Sequence, residues 1–492
     1  METIRDAALD RPTPALALGY DTVLRAIRST AITADTKTVG AETTVNMSVC
    51  KGTSEVMKAL SIDQSVSILG LGSVDEKMAF VQKQKTTEQS VSIVVHASHQ
   101  TGTQTAANPT LDPSLHGQAT GDFVRAYGDS YVDSISWGGE YYAMYTFYSE
   151  TAEESRDLTL SLKASGIVDG MQASASMDTK ISSFASTTAI DWSFDQKVSG
   201  ANTAMPGREG IIDFALKFPA LPLDAPVVVA YTTAGYEHVA KFDIDFATIV
   251  ANRSCLLDPT TGLIGALGKV TSLQNAADRL QAIYRCYGYT VDTALQGFED
   301  ALATDVAAIK ACVAAYAGDP TAKVVPPPLP SLSRGTPTLD FASHFACWGG
   351  PGGDPFDFGD VRTAVRNQQR LVWLQLHGQK YVDAILLQYR SVRGKSGVVK
   401  HGGDGGVAQN GVNLDDDEYV QIINTRADVY CDNVWMQTTR NQITQVGDQG
   451  GTAAGWTVPA DGTVVLGFQG RASRFLDQLG VVTMRLQPAK FV

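Results

Sequence analysis

Paired cysteines, an N-terminal leader and a long apolar run are all missing from this chain, and each absence narrows what it can be. Cys50, Cys255, Cys286, Cys312, Cys347 and Cys431 stand far apart with no CxxC pair, which argues for free thiols rather than a zinc site or disulfide framework. The opening Met1-Glu-Thr-Ile-Arg-Asp lacks the charged head and apolar core of a signal peptide. We therefore expect a soluble protein made in a reducing cytoplasm that acts outside the cell after lysis or another unencoded route. No run of 18 apolar residues is present, so no standing transmembrane helix is expected. Positive charge is also short: 39 Lys and Arg face 52 Asp and Glu, a formal net charge of -13, which repels nucleic acid.

Catalytic signatures are missing too. There is no HExxH, no GxSxG elbow and no zinc-spaced Cys/His set. Gly262-Leu-Ile-Gly265-Ala-Leu-Gly268-Lys269-Val270 fails as a phosphate loop, because Leu263 takes the first Gly position and Val270 the Ser/Thr position. Asp415-Asp-Asp-Glu418 lacks EF-hand spacing and reads as a solvated turn. No enzyme, cofactor or metal is expected. At 492 residues, 44% of them hydrophobic, the chain is too long for one core and implies two or three domains.

What the chain does have is one short pattern written three times: Tyr381-Val-Asp383-Ala-Ile385-Leu-Leu387, Tyr430-Cys-Asp432-Asn-Val434-Trp-Met436 and Phe475-Leu-Asp477-Gln-Leu479-Gly-Val481. The copies start 49 and 45 residues apart, the mark of a repeated unit. Each follows a glycine cluster: Gly349-Gly-Pro-Gly-Gly353, Gly402-Gly-Asp-Gly-Gly406 and Gly447-Asp-Gln-Gly-Gly451. Aliphatics at alternate positions predict a half-buried strand, and paired glycines let backbone N–H groups approach a ligand closely. A carboxylate beside exposed backbone donors suits neighbouring sugar hydroxyls, each both donor and acceptor.

On these residues, the stretch from about 345 to 492 resembles a jacalin-related lectin domain. Cys347-Trp348-Gly-Gly-Pro-Gly-Gly353 is similar to that family's opening, and Gly467-Phe-Gln-Gly470-Arg-Ala-Ser-Arg-Phe475-Leu-Asp477 to its sugar-binding loop. The resemblance implies an all-β prism of three four-stranded sheets. It also implies a saccharide site at Gly353, the Arg474, Phe475 and Leu476 backbone and the Asp477 carboxylate, with secondary sites at Asp383 with Gly406 and Asp432 with Gly451. The chain departs from the family where Gly stands four positions before the Asp: here Ser473, Asp428 and Gln379 occupy that place.

Earlier in the chain the sequence predicts a short helix near Asp21 to Ile27, then strands through Val45–Val49, and a strand from Gln64 to Leu71. Alternation from Thr86 to Thr105 and again from Leu158 to Gly200 reads as long two-faced Ser/Thr-rich strands. Such strands fit a transmembrane β-barrel or an extended surface sheet. Residues 122–148 predict a short helix presenting Phe123 and Tyr127 to a core, then an aromatic strand with a Gly-Gly bend. Further strands are read at 211–219, 226–231 and 242–246. Between 271 and 317, apolar residues at spacings of three and four predict an antiparallel helical hairpin that packs against the sheet. A Pro-rich stretch, 321–340, reads as a stiff linker.

Tyr127-Gly128, Tyr131 and Gly138-Gly139 resemble the signature of the MACPF (membrane-attack-complex/perforin) family: aromatic-Gly-x-x-aromatic, six residues, Gly-Gly. Asp129 and Ser130 depart from the Thr and His common there. The resemblance implies an α+β domain over residues 1–320 with a bent antiparallel sheet flanked by helices, two clusters of which unwind into membrane hairpins, here about 74–108 and 158–200. Both are short for the family, so a single-hairpin aerolysin-like toxin remains the alternative, as does a non-lytic adhesin. The expectation is a bacterial, insecticidal pore-forming toxin whose partners are a cell-surface glycan or glycolipid, target membrane lipid and its own copies in a ring.

Overall fold

The computed structural model describes residues 14–62, 76–167, 175–188, 190–289, 292–392 and 394–492. They form two compact units. The first holds the described residues up to Thr188, Trp192–Asn275 and Asp300–Arg334; the second holds residues 190–191, the described part of Ala276–Glu299, and Gly335–Val492.

The first unit is mixed α and β. In chain order it has β1 (Gly19–Asp21), β2 (Ala26–Arg28), β3 (Ile32–Val39), β4 (Glu42–Lys51), α1 (Gly52–Ala59), α2 (Glu76–Lys83), β5 (Val91–Leu111), α3 (Thr120–Tyr127), β6 (Ser130–Phe147), α4 (Ala152–Ala164), α5 (Ala175–Thr187), β7 (Trp192–Ser199), α6 (Ile211–Lys217), β8 (Val227–Gly235) and α7 (Ala247–Leu257). Helices α8 (Leu263–Cys286) and α9 (Thr293–Gly318) follow.

Two long antiparallel strands carry the sheet. β5 and β6 pair from Val91↔Phe147 to Thr105↔Ser134. Each takes two successive partners on its outer edge: β4 then β3 along β5, and β8 then β7 along β6. The exchange falls at one level, near Gln100 on β5 and Gly138-Gly139 on β6, where the β5–β6 register slips between Gln100 and Gly102. Such a bulge bends a strand and sharpens its twist. A side chain is excluded there, since a Cβ on Gly138 would lie 2.0 Å from the His99 carbonyl oxygen and one on Gly139 2.6 Å from Leu223.

Alternation along β6 serves two helical layers. Tyr142 and Met144 pack with Val56, Met57, Leu60, Met78, Phe80 and Val81 of the α1 and α2 region. Tyr141 and Phe147, of opposite parity, meet Phe214 of α6 and Phe184 of α5 at ring distances of 4.7 and 5.4 Å. Each such side chain, fully buried, contributes about 1.5 to 3 kcal/mol. Near the start of β6, Phe123 of α3 centres an aromatic cluster with Tyr127, Tyr236, Phe242 and Phe246. Val23, Leu256, Leu263 and Leu267 pack with Ile309, Val313 and Tyr316 of α9.

Several expectations change. The predicted helix at Asp21–Ile27 is a β1–turn–β2 hairpin, because the Asp21 carboxylate accepts from Leu24 N at 2.8 Å and closes the turn. The 86–105 stretch is not all surface: from Val91 it lies in β5, whose first eight residues are buried, where Ser92 meets Thr146 and His96 meets Glu140. Among the described residues of 158–200, those in α4 and α5 are helical and β7 is extended. Leu158 and Leu162, and Met177, Ile181 and Ala185, are buried at spacings of four, which satisfies both period 2 and period 3.6. Residues 211–217 are helical, and 242–246 form a loop whose Asp245 accepts from Ala247 N as α7 begins. The expected strand at 64–71 lies outside the described residues. α9 is, by length and a mean hydropathy of 1.3 over its best window, apolar enough to cross a membrane, and its buried residues face protein. Asn252 holds the Pro-rich stretch by accepting from Val324 N and donating to the Pro320 and Ala322 carbonyls.

The second unit is built on three sheets. One pairs Phe341–Gly349, Leu476–Leu486, Val464–Ala472 and Asp354–Phe356 in that order. Another joins Ile443–Gly447, Cys431–Thr438, Val420–Ala427 and Thr452–Thr457. The middle sheet keeps four positions although its outer strands are each broken in two, giving six segments around Arg370–Gly378 and Val382–Ser391. Ile385, Leu387, Val434, Met436, Leu479 and Val481, the alternate residues of the three copies, all enter one core. A short extra pair joins Pro337–Thr338 to Lys490–Phe491.

Asp129, in the Tyr127–Tyr131 motif, is wholly buried and accepts from Thr22 N at 2.8 Å. Burial, with the Asp21 charge beside it, raises its pKa to about 6 against the partial relief of Thr22 and Arg253. The folded chain therefore binds this proton more tightly than the unfolded chain. That advantage is complete below the unfolded value of 3.8 and is lost as pH rises through about 6. Urea unfolding should show Asp129→Asn gaining about 2 to 3 kcal/mol relative to the parent between about pH 4 and pH 7.5; a gap that does not move with pH would contradict the assignment.

Candidate functional site

At one end of the second unit the three copies converge. Tyr381, Tyr430 and Phe475 form a triangle of rings with centroids 6.0, 5.3 and 5.2 Å apart. Lys380 and Arg474 lie over Tyr381 and Phe475 at 5.5 and 5.4 Å, while Val429 is exposed.

Around this triangle each glycine loop wraps one carboxylate, and the geometry repeats closely. Gly353, Gly406 and Gly451 have φ of +66°, +70° and +67°. A Cβ on Gly352 or Gly353 would stand 2.6 or 2.5 Å from the Asp477 oxygens; Gly405 and Gly406 bear the same relation to Asp383, and Gly450 and Gly451 to Asp432. Only glycine allows such an approach in this backbone conformation. The loops are pinned by Gly350 N, Gly403 N and Asp448 N, which donate to the carbonyls of Asp477, Asp383 and Asp432 at 3.0, 3.0 and 2.9 Å.

Each loop also abuts the residue before the next aromatic, closing a ring. Gly350 meets the Val429 carbonyl, Gly403 meets the Arg474 carbonyl, and Asp448 N donates to Lys380 O at 3.2 Å. Arg471 clamps the Gly352 and Gly353 carbonyls, and Arg426 those of Gly450 and Gly451. The first copy has His377 at that position, bonded instead to Gln375. These arginines were missed in the sequence, although their constant place four residues before the aromatic was a usable signal.

Among the expected site residues, Gly353 and Asp477 touch, Arg474 is exposed over Phe475, and Leu476 turns its side chain into the core. Gly406 faces Asp383 and Gly451 faces Asp432. The three carboxylates differ in access: Asp477 and Asp383 are only 2% and 7% exposed, whereas Asp432 is more open. Ser473, where the family has Gly, donates its hydroxyl to Asp477 Oδ2 at 3.1 Å and so occupies a lone pair a sugar hydroxyl would use. Asp428, in the same place of the second copy, turns to Thr452 N and Oγ1. Partial burial, then the Asp428 charge, raises the Asp432 pKa against Arg426 and Lys380.

The motif of the first unit is also in place. Gly128 ends α3 at φ +82°, where a Cβ would lie 2.2 Å from the Tyr20 carbonyl; Tyr127 and Tyr131 pack in the Phe123 cluster; and Gly138-Gly139 sits at the partner exchange of β6. The Asp415–Glu418 run is a turn neutralised from outside, Arg440 pairing with Asp415 and Asp417 and Arg390 with Asp416, while Glu418 is buried.

Residues 345–482 match the family model of the jacalin-like lectin domain, and that region is a jacalin-like, all-β lectin domain. No curated protein matches the chain. Solved structures similar to it include a lectin of Malaysian banana, with 23% identity over 31% of this chain and 99% of the lectin at TM-score 0.25. AcmJRL, a mannose binding jacalin related lectin from Ananas comosus, has 19% identity over 30% and 99% at TM-score 0.26. Artocarpin in complex with mannotriose has 17% identity over 30% and 97% at TM-score 0.24.

Ser473→Gly should strengthen monosaccharide binding by about tenfold, since one charge-assisted hydrogen bond is released to the ligand; calorimetry with mannose, galactose, glucose and N-acetylglucosamine is the measurement, and unchanged affinities would remove Ser473 from the site. With Asp477 and Asp383 changed to Asn, residual binding at Asp432 should fade on acidification at a higher pH than an ordinary carboxylate would give, and Asp428→Asn should shift that loss to lower pH.

Proposed function

We propose that this protein is a pore-forming lectin: the prism captures a cell-surface glycan or glycolipid, and the first unit, a MACPF-like domain, assembles with further copies and inserts hairpins into the bilayer. The glycan half rests on the threefold arrangement of carboxylate, paired glycines and backbone donors, in a region that matches a lectin family. A carboxylate accepts from two hydroxyls while loop N–H groups donate, which is the bonding a pyranose edge offers.

The membrane half rests chiefly on one observation, the exchange of sheet partners at Gly138-Gly139 in a long antiparallel sheet with helical layers on both faces. Helices α4 and α5 fall in the alternating stretch 158–200, which therefore has an alternative two-faced extended form, while α2 falls in the other hairpin candidate, 74–108, ahead of its alternating part, which is already extended in β5. Hairpins cannot satisfy their edge hydrogen bonds alone in lipid, and a closed ring of copies can. The source, the target organism and a bacterial, insecticidal role belong to the same proposal.

Dye release from vesicles of phosphatidylcholine, cholesterol and target-cell glycolipid extract tests the reading. The parent should empty them with rings visible by electron microscopy, and Asp477→Ala with Asp432→Ala should need about tenfold more protein. Sealed vesicles despite tight glycan binding would leave a non-lytic adhesin.

A further inference from the structure

The first unit contains a charge cluster that neither the sheet nor the sugar site requires. Lys77 of α2 lies 2.7 Å from Glu140 Oε1 of β6, His96 Nε2 of β5 lies 3.1 Å from the same oxygen, and Lys77 Nζ also points to the Leu60 carbonyl at the end of α1, 3.4 Å away. Lys77, Glu140 and His96 are 8%, 5% and 5% exposed. Burial pushes the Glu140 carboxyl up, but the His96 bond and the Lys77 charge outweigh it and hold the group below its ordinary value, so it is an anion under a helix.

The layer on the helix side is apolar. Val56, Met57, Met78 and Val81 press on Val94 and Met144 in the same layer. A leucine–methionine contact would have filled that space and held the helices more firmly, because a buried ion pair is repaid poorly for the water it loses. Its distinguishing property is what happens on opening: both charges regain hydration, whereas apolar groups lose burial. Glu140 also follows Gly138-Gly139 directly, where β6 changes neighbour from β8 to β7, so any change of bend there moves Glu140 against Lys77. A cavity of about 1090 Å³ lined by Lys77, Glu140, Tyr142 and Lys58 brings solvent to the cluster.

We propose that Lys77, Glu140 and His96 form an ionic latch that sets how readily α1 and α2 leave the sheet, coupling their release to the bend at Gly138-Gly139. The proposal rests on the pore-forming reading, in which α2 must leave its place.

Hydrogen exchange of the full-length protein, followed by mass spectrometry in peptides covering 52–59 and 76–83, tests the latch without a membrane. Glu140→Gln, which removes the carboxylate charge 2.7 Å from Lys77, should speed exchange there by about tenfold; Lys77→Met with Glu140→Leu should slow it by a similar factor. Dye release from the vesicles described above should be accelerated by the single variant and delayed by the double one. Should the single variant fail to fold, the double variant decides alone. Exchange at the parent rate in the folded variants would overturn the latch even if vesicles leak. Shifted exchange with sealed vesicles would keep the latch and remove the pore.

Discussion

The structure depends on places where the chain cannot afford a Cβ. In the prism, paired glycines bring backbone against both oxygens of Asp383, Asp432 and Asp477; in the first unit, Gly138, Gly139 and Gly200 let strands change partner at contact distance. Gly353, Gly406, Gly451 and Gly200 have positive φ as well. In both units, glycine permits an approach that a hydrogen bond then fixes: Gly350 N and Gly403 N to aspartate carbonyls in one, the β5–β6 ladder resuming past its bulge in the other. The conformational entropy that glycine loses on folding is offset by these bonds and by the cores they close.

Legibility in the sequence followed the uniqueness of the pattern. The three copies of the prism were readable because Ile385 and Leu387, Val434 and Met436, and Leu479 and Val481 repeat at period two with the Asp at constant offset, and a strand is the only element that buries both members of such a pair. The stretch 158–200 was not, because residues four apart stack equally well on a helix. Long-range polar satisfaction was hidden too: Ser92 and His96 look like surface residues until Thr146 and Glu140 stand opposite. At the candidate site the wrapped carboxylates were readable from Gly and Asp, while their unequal access was not, since Ser473 bonds to Asp477 and Asp428 turns to Thr452.

The two units handle buried charge differently. In the prism, carboxylates are surrounded by neutral backbone and by arginines that clamp carbonyls rather than acids, which leaves their lone pairs uncommitted apart from Ser473 on Asp477. In the first unit, Lys77 neutralises Glu140 beneath a helix with His96 on the same oxygen, and burial raises the carboxyls of Asp21 and Asp129 despite the arginines beside them. One arrangement is poised toward a ligand; the other places electrostatic tension in the scaffold, where it bears on stability.

The first sheet of the prism pairs Phe341–Gly349 with Leu476–Leu486. Its two outer strands, Phe341–Gly349 and Asp354–Phe356, thus pair with inner strands more than a hundred residues later, and a ribosome must deliver residue 486 before the sheet can shut. During synthesis the sheet of the first unit, whose described strands all precede residue 236, has all its strands long before the prism's first sheet does. A growing chain would therefore spend its vectorial emergence with the Asp477 loop unformed, its carboxylate the last of the three to be enclosed.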